Sequence, residues 1–113
     1  MTTHTINRDG KPPLTFTGEI LAKADNRDHN STRWTSITIY RTKAGKFVAH
    51  IDRITQWQGE TDYTTAEAFA SFGEVIEWLR GDSEVLGAVS QEAVEKAIKV
   101  APTLAEFWQE VVD

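Results

Sequence analysis

The sequence predicts an α+β domain, an antiparallel β-meander of three to four strands followed by three C-terminal helices packed on one face. Three observations carry this. Residues 14 to 55 alternate apolar and polar side chains in short runs rich in Thr, Ile, Tyr and Trp, which suit a half-buried pleated surface. Residues 71 to 111 place apolar side chains at helical spacing behind serine and threonine caps. A chain of 113 residues is one domain, large enough to build a core without staples.

The best-defined element is a hairpin between Trp34 and Trp57. Residues 34 to 42 and 46 to 55 flank Lys43-Ala44-Gly45, and a three-residue hairpin loop needs a left-handed residue that Gly45 supplies without a Cβ clash. Thr42 then pairs with Lys46, Tyr40 with Val48, Thr38 with His50, Ser36 with Asp52 and Trp34 with Ile54. Side chains alternate across a strand, so this register sorts them. Ile37, Ile39, Phe47, Ala49 and Ile51 form a core face closed at its ends by Arg41 and Arg53. Trp34, Ser36, Thr38, Tyr40, Val48, His50, Asp52 and Ile54 form a second, mixed face.

The remaining elements follow in order. Residues 1 to 13 read as a flexible polar tail ended by Pro12-Pro13, and residues 14 to 113 as the single folded domain. Residues 14 to 23 are a strand whose Leu14, Phe16, Gly18, Ile20 and Ala22 are expected to face the same core, with Gly18 marking a bulge or a close backbone approach. Residues 24 to 33 are a polar loop. Asp25, Asp28 and His29 there have metal-ligand chemistry, but no second cluster completes a site, so no metal or cofactor is implied. Residues 61 to 69 suit a fourth strand. Ser71 and Glu74 have capping-box spacing, followed by Phe72, Val75, Ile76 and Leu79 and stopped by Gly81. Ser90 is placed to cap a second helix with a Val94, Ala97, Ile98 and Ala101 stripe, ended by Pro102. Thr103 and Glu106 repeat the capping spacing for a third, with Leu104, Phe107, Trp108 and Val111.

Charge narrows the function classes. The net charge is −5, but residues 1 to 65 hold nine Lys/Arg against seven Asp/Glu, and residues 66 to 113 hold three against ten. An acidic helical half argues against duplex DNA, whose phosphates need clustered basic residues. With no cysteine, disulfides and thiolate metal sites are excluded. No signal-peptide core and no apolar run of membrane-spanning length occur, so a cytoplasmic protein without membrane contact is the expectation.

The mixed face invites a triad reading, because Ser36, Thr38, His50 and Asp52 share it. Side chains on one sheet face stand side by side, however, with no elbow to present a nucleophile and no oxyanion donor, and no phosphate-binding loop or zinc spacing occurs elsewhere. The aromatics carry more weight. Trp34, Tyr40 and His50, with Trp57 and Tyr63 nearby, can anchor a protein partner or stack unpaired bases. Arg33, Arg41, Lys43, Lys46 and Arg53 surround the same hairpin.

The run Arg33-Trp34 and then Ile39-Tyr40-Arg41-Thr42-Lys43-Ala44-Gly45-Lys46-Phe47-Val48 resembles small accessory proteins of bacterial plasmids and phages, with the tyrosine, threonine, basic, glycine, aromatic, valine hairpin of the EXLDI family. The resemblance implies a mobile-element context, in which small acidic proteins often bind and block a host protein, as anti-CRISPR and anti-restriction inhibitors do. The expected function is therefore a non-enzymatic interaction or inhibitor module. Trp34, Tyr40, His50, Asp52, Trp57, Arg41 and Arg53 are the expected contact residues for a protein partner. The alternative is a single-stranded nucleic-acid binder using the same hairpin, and a homodimer is also open.

Overall fold

A computed structural model describes residues 1–109. Five strands, β1 (Thr2–Arg8), β2 (Lys11–Asp25), β3 (Arg33–Thr42), β4 (Phe47–Thr55) and β5 (Tyr63–Phe69), precede α1 (Phe72–Arg80), α2 (Ala88–Val100) and a 3-10 turn, Pro102–Phe107. The strands run antiparallel in sequence order within one sheet. The α+β class stands, with five strands rather than three or four. The additional strand is β1, formed by residues expected to be a tail; Thr3 pairs with Thr17, Thr5 with Thr15 and Ile6 with Leu14.

The central hairpin has the register its turn demands. Gly45 sits at φ 83°, the Thr42 N–H donates to the Lys46 carbonyl at 2.8 Å, and the Lys46 N–H donates to the Thr42 hydroxyl at 3.0 Å. Tyr40 faces Val48, Thr38 faces His50, Ser36 faces Asp52 and Trp34 faces Ile54.

The β2 strand departs from simple alternation. Ile20 pairs with Tyr40 but Ala22 pairs with Ile39, so Leu21 is one residue more than the ladder holds. Before this bulge, Leu14, Phe16 and Gly18 share the face of Tyr40. After it, Ala22 and Ala24 share the face of Ile39 and Ile37. Leu14 and Phe16 therefore do not point to the helix-covered core, as plain alternation predicts, and Ile20 is left exposed. Gly18 is needed for close approach rather than for the bulge, because a Cβ there would run into the Arg41 carbonyl oxygen.

Two cores result. On one face Leu21, Ala22, Ala24, Ile37, Ile39 and Ala49 meet Phe72, Val75 and Ile76 of α1 and Ala93, Val94 and Ala97 of α2. On the other, Ile6, Tyr40, Val48 and Ala66 pack with Leu14 and Phe16. That second core exists because the sheet curls until β1 reaches β5. The Asp9 N–H donates to the Thr64 carbonyl at 3.1 Å, the Thr64 N–H donates to Asp9 Oδ2 at 2.6 Å, and Arg8 Nη1 donates to the Ala66 carbonyl at 3.0 Å. Lys11 and Arg8 also pair with Glu67. The outer edge of β5 is thus covered at Thr64 and at the Ala66 carbonyl.

The first helix is capped as its sequence indicates. Ser71 Oγ accepts from the Glu74 N–H, while Glu74 Oε2 accepts from the Ala70 N–H. The second is capped three residues before the expected position. Gly87 is its N-cap, and Ser90 lies inside the helix and is buried. Among the described residues the third helix is only the 3-10 turn, with no side-chain cap, and Val111 lies outside them.

If Arg8 closes the curl, Arg8→Ala should cost more than Glu67→Gln. The first orphans the Ala66 carbonyl, at about 1–3 kcal/mol; the second weakens half-exposed ion pairs worth about 0–1 kcal/mol. Urea unfolding of both variants measures this, and equal losses would contradict it.

Candidate functional site

The seven residues expected to contact a partner do not form one surface. Tyr40 is 7% exposed, inside the second core, with its ring 4.9 Å from His4 and 5.0 Å from Phe16. Burial, reinforced by the charge of Asp52, pushes its phenol pKa above the ordinary tyrosine value. Tyr40 is a packing residue, which corrects its assignment as an anchor.

His50 and Asp52 are half-buried in the middle of the same face. His50 Nε2 lies 3.1 Å from Asp52 Oδ1, which also accepts from the Thr64 hydroxyl at 2.7 Å. His50 Nδ1 is buried and has no hydrogen-bond partner. Ser36 and Thr38 stand opposite Asp52 and His50, as the register requires, but neither hydroxyl is bonded to the imidazole. Arg41 sits at the turn end of β3, where its guanidinium is held by Glu19 at 2.9 Å.

Trp34 and Arg53 do come together, at the opposite end of the sheet, with Trp57 beside Arg33 at the rim. Trp34, Arg33, Arg53, Thr55, Glu60 and Tyr63 line an open cavity of about 670 Å³. The turn after β4 builds its rim. Gly59 at φ 87° lets the Glu60 N–H donate back to the Trp57 carbonyl at 3.2 Å, which turns Glu60 toward Arg33. Arg33 and Glu60 then form a two-pronged pair, 2.9 Å from Nε to Oε1 and 2.6 Å from Nη2 to Oε2. The Thr55 hydroxyl donates to the same carboxylate at 2.5 Å. These bonds hold the Glu60 carboxyl at about 2, well below its ordinary 4.5, and hold the Arg33 guanidinium above its usual value.

Trp57 is fixed beside this pair. Its Nε1 donates to Thr32 Oγ1 at 2.9 Å, its backbone N–H donates to Thr55 Oγ1 at 3.1 Å, and Arg33 lies 5.4 Å from its ring centroid. It is nevertheless 54% exposed, and Tyr63 is 46% exposed. Arg27 covers Trp34 at 4.3 Å. The Asp25 and Asp28 side chains in the preceding loop accept backbone N–H bonds from Arg27 and Asn30. Among the described residues no group of three or more acidic or histidine side chains is placed to hold a metal ion.

Sequence reasoning missed Glu60, Arg27 and Thr32. No local pattern marks Glu60, whose partner Arg33 is 27 residues earlier. Gly59 was the available signal, since a glycine two residues after Trp57 indicates a tight turn.

No helix among the described residues is long and apolar enough to cross a membrane. Comparison with protein-family models, curated proteins and solved structures yields no match.

The Arg33–Glu60 pair gives the site a pH dependence of defined sign. The carboxylate is stabilised in the folded state, so its contribution is present above pH 4.5 and is lost as pH falls through about 2. Trp57 emission, taken as the difference between the protein and its Trp57→Phe variant, should shift over that window. Glu60→Gln should show the acid-form emission already at pH 7. An unchanged difference spectrum in Glu60→Gln would show that the pair does not position Trp57.

Proposed function

We propose that the protein is a non-enzymatic interaction module that holds a partner protein at the Trp34, Trp57 and Tyr63 end of its sheet. The observation that supports this most is Trp57 itself. More than half of its surface is open to water, yet a hydrogen bond from its indole N–H to Thr32 and the Arg33 guanidinium hold the ring, while its backbone N–H is bonded to Thr55. An aromatic anchor held in place before binding loses little side-chain entropy when a partner covers it. Tyr63 and the cavity beside Trp34 extend the apolar patch, with the Arg33–Glu60 pair providing a polar boundary. The hairpin's resemblance to plasmid and phage accessory proteins extends the reading to an inhibitor that blocks the protein it holds.

Charge placement disfavours the single-stranded nucleic-acid alternative. A phosphate track needs uncompensated cations side by side. Here Arg33 is neutralised by Glu60 and Arg41 by Glu19. The two arginines are also about 26 Å apart along β3 at ~3.3 Å per residue, so the hairpin cations divide between its two ends.

Trp57→Ala and Tyr63→Ala should each weaken capture of the partner by about tenfold or more, since buried aromatic anchors contribute about 2 kcal/mol upward. Arg41→Ala, at the far end, should leave capture unchanged. Pull-down from a host lysate with quantitative mass spectrometry measures this. Capture that is indifferent to both aromatic variants contradicts the proposal. Saturable quenching of tryptophan emission by a single-stranded oligonucleotide, weakening steeply with salt, would favour the alternative.

A further inference from the structure

The curl leaves a gap at the turn end of the sheet. The β2 strand pairs with β3 only from Gly18 onward, and its earlier residues pair with β1 on the other side. Residues 14 to 17 therefore have no strand beside them where they face the Lys43–Gly45 turn. One backbone bond crosses there, from the Lys43 N–H to the Thr17 carbonyl at 2.8 Å. A cavity of about 320 Å³ occupies the gap. Ligand pockets begin at roughly 300 Å³, and the mouth of a curled sheet is a common place for one.

Its wall divides by chemistry. Leu14, Phe16, Val48 and Ala68 supply apolar surface from three strands. Leu14 and Phe16 pack on the second core yet stay half-buried, and Ala68 is exposed. Ala44 and three threonines complete the wall. The threonine hydroxyls are already engaged: Thr15 with Thr5 at 3.2 Å, Thr17 with Thr3 at 3.1 Å, and Thr42 with the Lys46 N–H at 3.0 Å. The charged residues of the wall are Lys43 and Lys46. Both are exposed, and neither is within ion-pair distance of a carboxylate among the described residues. No carboxylate lines the cavity. Glu19 and Glu67, on the flanking strands, are held by Arg41 and by Arg8 and Lys11.

We propose that this cavity binds a small amphipathic anion, an aliphatic carboxylate whose tail lies on Leu14, Phe16 and Val48 and whose head group meets Lys43 and Lys46. Covering the apolar wall removes it from water, which supplies the affinity. The two uncompensated ammonium groups set the sign of the head group. The tight turn keeps them together at the opening, because Thr42 and Lys46 close it with two hydrogen bonds. The site lies at the other end of the hairpin from Trp57, so it does not depend on a partner protein being held there.

Octanoate titrated into the ¹³C-labelled full chain at constant ionic strength, below its micelle concentration, tests the proposal. Saturable shifts are expected at the methyl groups of Leu14, Val48 and Ala68, with octanol and acetate each binding more weakly. Lys43→Gln combined with Lys46→Gln should weaken octanoate binding by about tenfold, roughly threefold for each exposed ion pair, and leave octanol binding unchanged. Ala68→Phe should abolish binding by filling the cavity from its β5 side. All three positions are exposed, so the fold should survive, and the same spectra report whether it does. Absence of saturable shifts at these methyl groups would overturn the assignment, as would shifts confined to the Trp57 end of the sheet. Octanol binding as tightly as octanoate would overturn the part given to the lysines, and acetate binding as tightly would overturn the part given to the apolar wall.

Discussion

Leu21 is one residue more than the β2–β3 ladder can absorb, and the rest of the structure depends on where that residue goes. A bulge exchanges the two faces of a strand and bends it. Here the exchange lets one strand serve two cores. Leu14 and Phe16 belong to the inside of the curl, whereas Leu21, Ala22 and Ala24 lie under the helices. The bend accompanies the curl that brings the β1–β2 turn to β5, where Arg8 and Asp9 supply the donors and acceptors that the edge strand lacks.

Function follows from what this closure leaves outside. With α1 and α2 on one face and β1 over the other, the broad surfaces of the sheet are used for stability. Tyr40 and Val48 are core residues, and the His50–Asp52–Thr64 network is a half-buried polar seam. What remains is the end of the sheet away from the Lys43–Gly45 turn. There the turn after β4 carries Trp57 and Glu60 outward, Tyr63 at the start of β5 is exposed, and Arg33 and Arg53 line the cavity with Glu60 and Tyr63. Exposed aromatic rings and the Arg33–Glu60 pair meet at this end, and the proposed docking of a partner protein rests on them.

The legible part of the fold was the part governed by local chemistry. Gly45 dictated a turn, the turn dictated the register, and every cross-strand pair from Arg41–Phe47 to Trp34–Ile54 followed. The Ser71–Glu74 box likewise marked α1 because both partners lie within one turn. The β1 strand was not legible. Thr-Thr-His-Thr-Ile-Asn-Arg holds a single aliphatic residue, Ile6, and its burial depends on Val48 and Ala66, which only the curl brings near. Ser90 resembles a cap by type but is buried within α2, because the helix starts at a glycine that carries no capping side chain. In the candidate site, Trp34 and Arg53 line one cavity, and Trp57 lies beside the Arg33 of its rim. Tyr40 and Arg41 were grouped with them only because they share the hairpin, and strand length separates them.

The strand β1 folds over the second face of the sheet and buries Tyr40. Nuclear Overhauser contacts between aromatic side chains test it most directly. Strong cross-peaks are expected from the Tyr40 ring to the rings of His4 and Phe16, whose centroids lie 4.9 and 5.0 Å away. Their absence, with residues 2 to 8 giving the sharp, narrowly dispersed signals of a free tail, would contradict it. The face carrying Tyr40, Val48 and His50 would then be an open surface.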